Sequence, residues 1–503
     1  MTENGDARFD DIMPILSPEW PVLPFEECLV PISAPQRKLK GHEIQSAGLI
    51  PVIDQGEAFI CGYTNDEHNQ YPGPLPTIIF GDHTRRFKFV PFRFAVGAEG
   101  VRPLHPIEQL DPKFFYYYLS ALRIEGQGYS RHYRFLKEAS VPIPPLPEQR
   151  RIVGQVEALL AKVKSSQERL DKIPTILKRF RQAVLAAACS GKLTADWRKE
   201  HPGIAAVRLD FCERWRREKV NRANAKAGRS RFRYAPPALI DIGDRTKGID
   251  ELFELPETWA WASLGQLTWA VADGPHFSPK YVAPEDGVAF ISGRHISYEG
   301  IDFSDAKYVS REDHAQFTKR TQPEVGDVLL TKGGTTGIAT VVTTDREFSV
   351  WVHVAVLKVV DELVDRFYLR DALSAPLAYI QSQAQTHGVG NQDLGLTRMV
   401  HIALPVPPIA EQREIVKRVQ AAFKVADRLE ARYTKAKVQV DPLTQSILAK
   451  AFRGELVPTE AELARREGRE YETAEELLAR IQRNAAVSGK GASARRPRAL
   501  VQR

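Results

Sequence analysis

The stretch that decides the fold covers residues 142–193 and opens with PIPPLPEQRRIV. It recurs without an insertion or deletion 263 positions later, at residues 405–456, where it opens with PVPPIAEQREIV, and 18 of the 52 positions are identical. A gap-free spacing over this length is what a long helix requires, because one inserted residue rotates everything beyond it by about 100°. The chain is therefore a tandem duplication with one helical arm in each copy.

Apolar residues follow each lead-in at alternating steps of four and three. In the first copy they are Ile152, Val156, Leu159, Val163, Ser166 (a polar exception), Leu170, Ile173, Leu177, Phe180 and Val184, and in the second Ile415, Val419, Ala422, Ala426, Leu429, Tyr433, Ala436, Val440, Leu443 and Ile447. This pattern favours a coiled-coil seam over a single helix on a globular core, so the two arms can pair with each other. The alternative is a helical hairpin that only stiffens a globular protein.

Two prolines and two glycines punctuate the arms. Pro174 and Pro442 lie inside the stripes, and a proline removes a backbone hydrogen bond and clashes with the preceding turn. We therefore expect a kink or short break in each arm, at positions that do not correspond between the copies. Gly191 and Gly454 lie where a helix C-terminus is expected.

Globular and helical segments alternate along the chain. The predicted organisation is a globular block at 1–141, a helical spacer at 142–196, a basic linker at 197–254, a second globular block at 255–404, a second spacer at 405–460, and a C-terminal helix with a basic, disordered tail at 461–503. Both blocks are predicted to be mixed α/β with short strands, for example at 77–80 and 328–330. They open alike, with PEW at 18–20 and PETW at 256–259, and then diverge. Similar architecture with different surfaces suggests two readers of two different targets.

Composition describes an ordinary globular protein with a basic surface. The 503 residues carry a formal charge of +7 and 43% hydrophobic residues, which favours an anionic partner such as nucleic acid without proving one. No apolar run has membrane-spanning length and no signal pattern is visible, so we expect a cytoplasmic protein without a membrane partner. The four scattered cysteines, Cys28, Cys61, Cys189 and Cys212, are expected to be reduced, packed thiols, and no metal site is expected.

Residues 213–233 hold nine Lys or Arg residues. This stretch is either a solvated helix and linker or an element that contacts phosphates. The sequence leaves both interpretations open.

Motifs for catalysis are missing from the sequence. No Asn/Asp-Pro-Pro-aromatic motif of an amino-methyltransferase occurs, and the run KGGTTG at 332–337 lacks the Gly-Lys-Ser/Thr ending of a phosphate loop. A nuclease core would need an Asp followed at a distance by a lysine with a carboxylate two residues before it. Asp327 precedes Lys332, but no carboxylate stands two residues before this lysine. A large duplicated chain of this kind is better explained as a binding subunit than as an enzyme.

The arrangement resembles the specificity subunit of type I restriction-modification systems. The resemblance rests on the paired EQR helix starts, on the ends GKL at 191–193 and GEL at 454–456, and on the openings of both blocks. It implies an α+β fold in which two mixed α/β target recognition domains are separated by two long helices that pair as an antiparallel coiled coil, with a pseudo-twofold internal repeat. Each block would read one half of a split sequence in double-stranded DNA.

The same resemblance implies partners and cofactors outside this chain. Two methyltransferase (modification) subunits would dock on the helices, and restriction/translocase subunits would join them. S-adenosylmethionine, ATP and Mg²⁺ are expected in those partner subunits, and this chain itself is expected to need no cofactor and to carry no catalytic residue.

The candidate contact residues carry side chains whose chemistry suits bases and phosphates. The predicted DNA-binding residues of the first block are Arg85, Arg86, Lys88, Arg93, Arg131, His132, Tyr133 and Arg134, and those of the second are Lys280, Arg294, Lys332, Thr335, Thr336, Asn391 and Gln392. The repeated helix starts, Glu148, Gln149 and Arg150 with Glu411, Gln412 and Arg413, are either helix-start structure or part of a partner-docking surface.

Two rival hypotheses compete with this interpretation. One is a single-chain methylase or nuclease with two recognition domains, against which the missing motifs argue. The other is a coiled-coil scaffold unrelated to DNA, which the absence of salt-dependent DNA binding would favour.

Overall fold

The structure is a computed structural model that describes residues 15–31, 38–97, 100–124, 131–228, 231–240, 252–386 and 393–487. The chain forms two compact units. Unit 1 contains the described residues up to Asp171 and from Thr434 onward, and unit 2 is Lys172–Tyr433. Each unit therefore holds one globular block, the beginning of one arm and the end of the other.

The α-helices of the described residues follow the predicted alternation of globular and helical segments. In chain order they are Pro112–Ala121 (α1), Tyr133–Lys137 (α2), Leu146–Leu170 (α3), Ile173–Cys189 (α4), Ala195–Glu200 (α5), Cys212–Ala227 (α6), Leu264–Leu267 (α7), Arg311–Phe317 (α8), Arg366–Leu373 (α9), Pro376–Ala384 (α10), Leu396–Met399 (α11), Ile409–Val440 (α12), Leu443–Phe452 (α13), Glu460–Glu467 (α14) and Ala474–Val487 (α15).

The first globular block consists of small sheets together with α1 and α2. Its strands are Val22–Pro24 (β1), Ile50–Ile53 (β2), Gly62–Thr64 (β3), Thr77–Gly81 (β4), Phe87–Val90 (β5), Ala95–Val96 (β6), Val101–Leu104 (β7) and Ser140–Pro142 (β8). They form sheets in the order β3-β2-β6, β5-β4-β7 and β1-β8. All pairs are antiparallel except β2 with β6.

The second globular block has longer sheets. Its strands are Ala260–Ser263 (β9), Thr268–Asp273 (β10), Tyr281–Val282 (β11), Gly287–Ile291 (β12), Lys307–Ser310 (β13), Val328–Thr331 (β14), Ala339–Val341 (β15), Phe348–Val350 (β16), Val354–Val359 (β17) and Ala403–Val406 (β18). The sheet orders are β10-β17-β14-β15, β11-β13-β12-β16 and β18-β9. The short strands predicted at 77–80 and 328–330 are confirmed as β4 and β14.

The segment that enters each block pairs with the segment that leaves it for the arm. In unit 1, β1 pairs with β8 and Val22 lies opposite Pro142. In unit 2, β9 pairs with β18 and Ala260 lies opposite Val406. The similar block openings and the proline-rich lead-ins are therefore neighbours in space, which explains why both recur.

Each arm is broken, as the prolines predict. The first arm is interrupted at residues 171–172, with Pro174 in the first turn of α4, and the second at residues 441–442, with Pro442 as the N-cap of α13. Proline suits these places because the first turn of a helix has no intrahelical partner for its N–H. The breaks do not correspond in the repeat, which confirms the prediction of a break in each arm at positions that differ between the copies.

In unit 1 the beginning of the first arm pairs with the end of the second. Arg151, in the first turns of α3, forms an ion pair of 2.7 Å with Glu460, beyond the end of α13. At the other end of α3, Asp171 lies 3.5 Å from Lys437. The two segments are therefore antiparallel.

In unit 2 the end of the first arm pairs in the same way with the beginning of the second. Arg181 of α4 donates to Asp427 of α12 at 2.8 Å, and Asp196, just beyond α4, accepts from Arg418, nearer the start of α12, at 2.6 Å. The predicted antiparallel pairing of the helices is thus present in each unit.

Burial along the predicted seam is strongest near the ends of the arms. Ile152 and Val156 belong to the core of the first block, and Ile415 and Val419 to that of the second. Three predicted seam positions are corrections, because the side chains of Phe180, Leu429 and Leu443 are 39%, 46% and 39% exposed. None of these three side chains belongs to the hydrophobic cores of the two blocks.

Each arm ends at the glycine that recurs in both copies of the repeat, and the chain then continues into further helices. Gly191 and Gly454 have φ angles of 74° and 76°, the left-handed conformation that favours glycine at a helix C-terminus. Two helices follow each arm: α5 and α6 after the first, α14 and α15 after the second. The predicted linker at 197–254 therefore contains a helix of 16 residues, α6, while the predicted disordered tail beyond residue 487 lies outside the described residues.

All four cysteines are unpaired thiols, as predicted, and three of them are buried. Burial raises the pKa of Cys61 and Cys212 as well as that of the deeper thiols. Among the helices of the described ranges, none combines the length and apolar character needed to cross a lipid bilayer.

Candidate nucleic-acid interface and the repeated arm junction

A buried tryptophan and glutamate join each block to its arm. Trp20 donates its indole N–H to Glu148 at 2.9 Å, and Trp259 donates to Glu411 at 2.9 Å. The glutamates are 2% and 0% exposed. A buried carboxylate must be hydrogen-bonded to be tolerated, and a buried indole N–H needs an acceptor, so each group satisfies the other.

The second oxygen of each glutamate reaches the segment that follows the other arm. Glu148 accepts the backbone N–H of Glu460 at 2.8 Å. Glu411 accepts the hydroxyl of Thr194 at 2.6 Å and a charged hydrogen bond from Arg198. Burial raises the pKa of Glu148, and the bonds from Glu460 and Trp20 oppose that rise. The start of each arm is therefore fixed to the end of its antiparallel partner.

The glutamine beside each glutamate binds the globular block. Gln149 accepts the N–H of Asp111 at 2.7 Å and donates to the carbonyls of Gln109 and Pro144 at 2.9 and 2.7 Å. Asp111 is the N-cap of α1, so this side chain links the arm to the helix of its block.

The second copy repeats these three contacts at the same distances. Gln412 accepts the N–H of Asp365, the N-cap of α9, at 2.7 Å, and it donates to Leu363 and Pro407 at 2.9 and 2.7 Å. We define the arm junction as Trp20, Glu148 and Gln149 in unit 1, and Trp259, Glu411 and Gln412 in unit 2.

The arm junction decides between the two interpretations of the EQR starts. The side chains of four of these residues are buried and bonded internally: Glu148, Gln149, Glu411 and Gln412. The interpretation of these four as partner-docking residues is therefore wrong, and their role is to stabilise the starts of the helices. Arg150 and Arg413 are exposed at the same place in both copies. Only these two arginines remain predicted docking residues.

In unit 1 the structure brings two predicted DNA-binding stretches together. The turn between β4 and β5 carries the exposed Arg85 and Arg86. Asp82 in this turn accepts the N–H of Tyr133 at 2.8 Å, and its carbonyl accepts the N–H of His132 at 2.9 Å. The exposed Arg131 and Arg134 therefore lie beside the turn, and the two stretches form one basic surface.

Two members of that set are corrections. Lys88 is 6% exposed, and its ammonium donates to the carbonyl of Ala58 at 2.5 Å and lies 3.5 Å from Asp54. His132 is fully buried and its Nδ1 lies 2.9 Å from the carbonyl of Asp82. Lys88 is bonded to the segment between β2 and β3, and His132 to the β4–β5 turn, so neither side chain faces a ligand.

Two further members of the set lie at its margin. Tyr133 is half-buried, with the guanidinium of Arg102 5.1 Å from its ring centroid. Arg93 is exposed but follows β5, at the opposite end of the β4–β5 hairpin from Arg86. Arg102, absent from the prediction, lies 3.6 Å from Asp82. Its position on β7 gave no local signal, because only the sheet pairing of β4 with β7 brings it there.

In unit 2 three of the predicted residues, Lys332, Thr335 and Thr336, lie in the loop between β14 and β15. The prediction that Lys332 binds DNA is wrong, because its side chain is 3% exposed and its ammonium lies 2.9 Å from Asp393 and 3.4 Å from Asp273. Thr336 is also buried, and its hydroxyl has no hydrogen-bond partner. Of the predicted residues in this loop, Thr335 is exposed. The lysine positions the loop rather than presenting a charge on the surface.

The remaining predicted residues of unit 2 are exposed or lie outside the described residues. Arg294 is exposed, pairs with Asp305 at 3.2 Å and belongs to the turn that packs near Gly333 of the same loop. Lys280 is exposed just before β11. Asn391 and Gln392 lie outside the described residues, although Asp393, which follows them, bridges to Gly333.

Apolar side chains on the arms are exposed in both units. Ile176 and Phe180 on α4 and Val425 on α12 are 58%, 39% and 42% exposed in unit 2, and Val438 is 70% exposed in unit 1. Exposed apolar groups that cluster along a helix are typical of surfaces that bind another protein.

The comparisons with known proteins agree with this architecture. Residues 30–175 and 271–439 match the model of the type I restriction modification DNA specificity domain. These two segments cover more than half of the chain and include the glutamate and glutamine of the arm junction in each copy. The chain belongs to the type I restriction-modification specificity family.

Individual members of the specificity family show how far the likeness extends. The chain is 31% identical over 360 residues to the type I restriction enzyme EcoBI specificity subunit of Escherichia coli, covering 69% of this chain and 66% of that protein. It is 30% identical over 326 residues to the StySPI specificity subunit of Salmonella potsdam, covering 63% and 58%. The matches thus span somewhat less than two thirds of these relatives.

A solved structure shares the fold at lower identity. A chain from a study of complex assembly and conformational transition of the type I R-M system superposes with a TM-score of 0.56 at 18% identity, over 88% of this chain and 99% of that one. At this identity the likeness supports the α+β fold of the specificity family, and nothing more.

Proposed function

We propose that this chain recognises a bipartite sequence in double-stranded DNA, with each globular block reading one half, and directs modification and restriction subunits to it. The observation that carries the proposal is the arm junction. Two blocks that differ strongly in sequence are held by the same tryptophan, glutamate and glutamine contacts at the same distances. The same contacts attach two different blocks to the arms, as expected if each block recognises a different half-site.

The exposed arginines support DNA as the ligand. In unit 1, Arg85, Arg86, Arg131 and Arg134 form one surface around the β4–β5 turn. Guanidinium groups bind phosphates and can bind guanine through two hydrogen bonds, so one surface can supply both affinity and sequence selection. The formal charge of +7 adds general attraction to DNA.

The exposed apolar side chains of the arms support docking of partner proteins. Two methyltransferase subunits would bind the arms, where Arg150 and Arg413 offer equivalent exposed charges in the two copies. Restriction/translocase subunits would complete the assembly. In this proposal the chain is not an enzyme, and S-adenosylmethionine, ATP and Mg²⁺ act in the partner subunits.

A reconstitution tests the proposal. The purified chain alone, and the chain co-expressed with a type I methyltransferase subunit, are each given S-adenosylmethionine and duplex DNA. We expect methyl transfer only with the partner present, and salt-dependent binding of random duplexes by the complex. Methyl transfer by the chain alone, or no complex and no DNA binding, contradicts the proposal.

A further inference from the structure

A basic cleft in unit 2 lies outside every surface described so far. It has a volume of about 400 Å³, and its walls include Arg216, Arg231, Phe232, Arg233, Trp269 and Arg320. Its floor is β10, the edge strand of its sheet. Four arginines thus line one cleft, and none of the described residues that line it is acidic.

Helix α6 holds the arginine-bearing wall in place. The side-chain oxygen of Asn224 accepts the backbone N–H groups of Arg231 and Phe232 at 2.8 and 2.7 Å, and its amide donates to the carbonyl of Phe232 at 2.8 Å. Arg216 is 7% exposed and donates to the carbonyls of Thr268 and Ala235 at 2.7 and 2.8 Å. The wall is therefore built before any ligand arrives.

The charges in the cleft are only partly neutralised. Arg320 pairs with Asp273 at 2.5 Å. Arg216 bonds to carbonyls. Arg231 donates to the carbonyl of Thr318 through one terminal nitrogen, while its buried Nε has no hydrogen-bond partner. Arg233 is exposed and makes no hydrogen bond or ion pair within the described residues. A buried donor without an acceptor is costly, so an anion that accepts from these groups would stabilise the cleft.

The aromatic part of the wall narrows the class of anion. Phe232 and Trp269 meet edge to face, with ring centroids 5.1 Å apart. Guanidinium groups for a phosphate beside an aromatic surface for a base or sugar are the combination used to bind nucleotides. A volume of this size fits a ligand of that class.

We propose that this cleft binds the phosphate of a nucleotide unit, with Arg233 and Arg231 as the donors. The phosphate belongs either to a DNA strand or to a free nucleotide, and both sources present the same chemistry. The first source extends the proposed DNA recognition, and the second does not depend on it. Helix α6 then positions a ligand site. Of the two interpretations of the basic stretch at residues 213–233, this proposal favours the one in which the stretch contacts phosphates.

The test uses the full chain with Arg233→Gln, and Arg222→Gln as the matched control. Arg222 is exposed on α6 but does not line the cleft, so both variants lose one charge from the same region. Within the part of the chain that the structure describes, neither side chain makes a hydrogen bond or an ion pair, and equal melting temperatures confirm intact folding. Binding of adenosine monophosphate and of a short random duplex is measured over a range of salt concentrations.

We expect Arg233→Gln to weaken binding of at least one probe by about tenfold. In Arg222→Gln the change in the logarithm of the affinity for that probe should be less than half as large. A loss confined to the duplex, with a salt slope reduced by about one, identifies a DNA phosphate. A loss of adenosine monophosphate binding identifies a free nucleotide, and it supports the cleft even if duplex binding, and with it the proposed function, fails. Equal affinities of the two variants for both probes, or no binding of either probe by the parent chain, overturns the proposal.

Discussion

Replacing Gln412 by leucine should destabilise unit 2 without touching its surface. The glutamine is fully buried and forms three hydrogen bonds, to the N–H of Asp365 and to the carbonyls of Leu363 and Pro407. Leucine has a similar size but no polar atoms, so three buried backbone groups lose their partner. At about 1 to 3 kcal/mol for each unsatisfied group, reduced where water can enter, the expected loss is about 3 to 6 kcal/mol.

Hydrogen exchange followed by mass spectrometry measures this effect locally. The amide of Asp365 should exchange at least about tenfold faster in Gln412→Leu, because its acceptor is gone. The repeat supplies a second test, since Gln149→Leu should expose the amide of Asp111 in unit 1. Arg413→Leu is the matched control, because this neighbour is exposed. If exchange at Asp365 and the midpoint of urea unfolding stay at the values of the Arg413→Leu control, the structural role of the arm junction is refuted.

Two further predictions concern charge. Burial raises the pKa of Asp327 to about 6, although Lys358 lies 2.6 Å away. The carboxyl of Asp327 therefore binds a proton more tightly in the folded state than in the unfolded state. Its contribution to stability is complete below about pH 4 and is lost as the pH rises towards 6. Asp327→Asn should therefore flatten the change in urea midpoint between these pH values, and an unchanged slope would contradict the assignment. In unit 1, Arg86→Gln should weaken duplex binding about tenfold at an unchanged melting temperature, whereas Lys88→Gln should lower the melting temperature because Lys88 is buried; the reverse result would exchange their roles.

The repeat made the arms predictable from the sequence. Helix length, the breaks near Pro174 and Pro442, and the left-handed glycines at 191 and 454 depend on local chemistry, which a sequence displays directly. Pairing of the arms followed from the apolar spacing. Exposure of Phe180 could not be predicted, because a stripe shows which residues are apolar and not how far the globular cores extend.

The candidate interface was only partly predictable. Residue type correctly marked Arg85 and Arg86 as exposed cations, but it could not separate them from Lys88, whose ammonium turns inward to a carbonyl. The difference depends on contacts with residues thirty positions away. The roles of Glu148 and Gln149 were hidden for the same reason, since their partners Trp20 and Asp111 are distant in sequence.

In the proposed function, each block reads one half of a split target independently of the other block. The direct measurement is to exchange residues 255–404 for the corresponding block of another member of the specificity family, and to map methylated adenines in cells that also hold the partner subunits. We predict that one part of the split target changes while the other part and the gap stay the same. A change in both parts, or an unchanged target, would contradict the account.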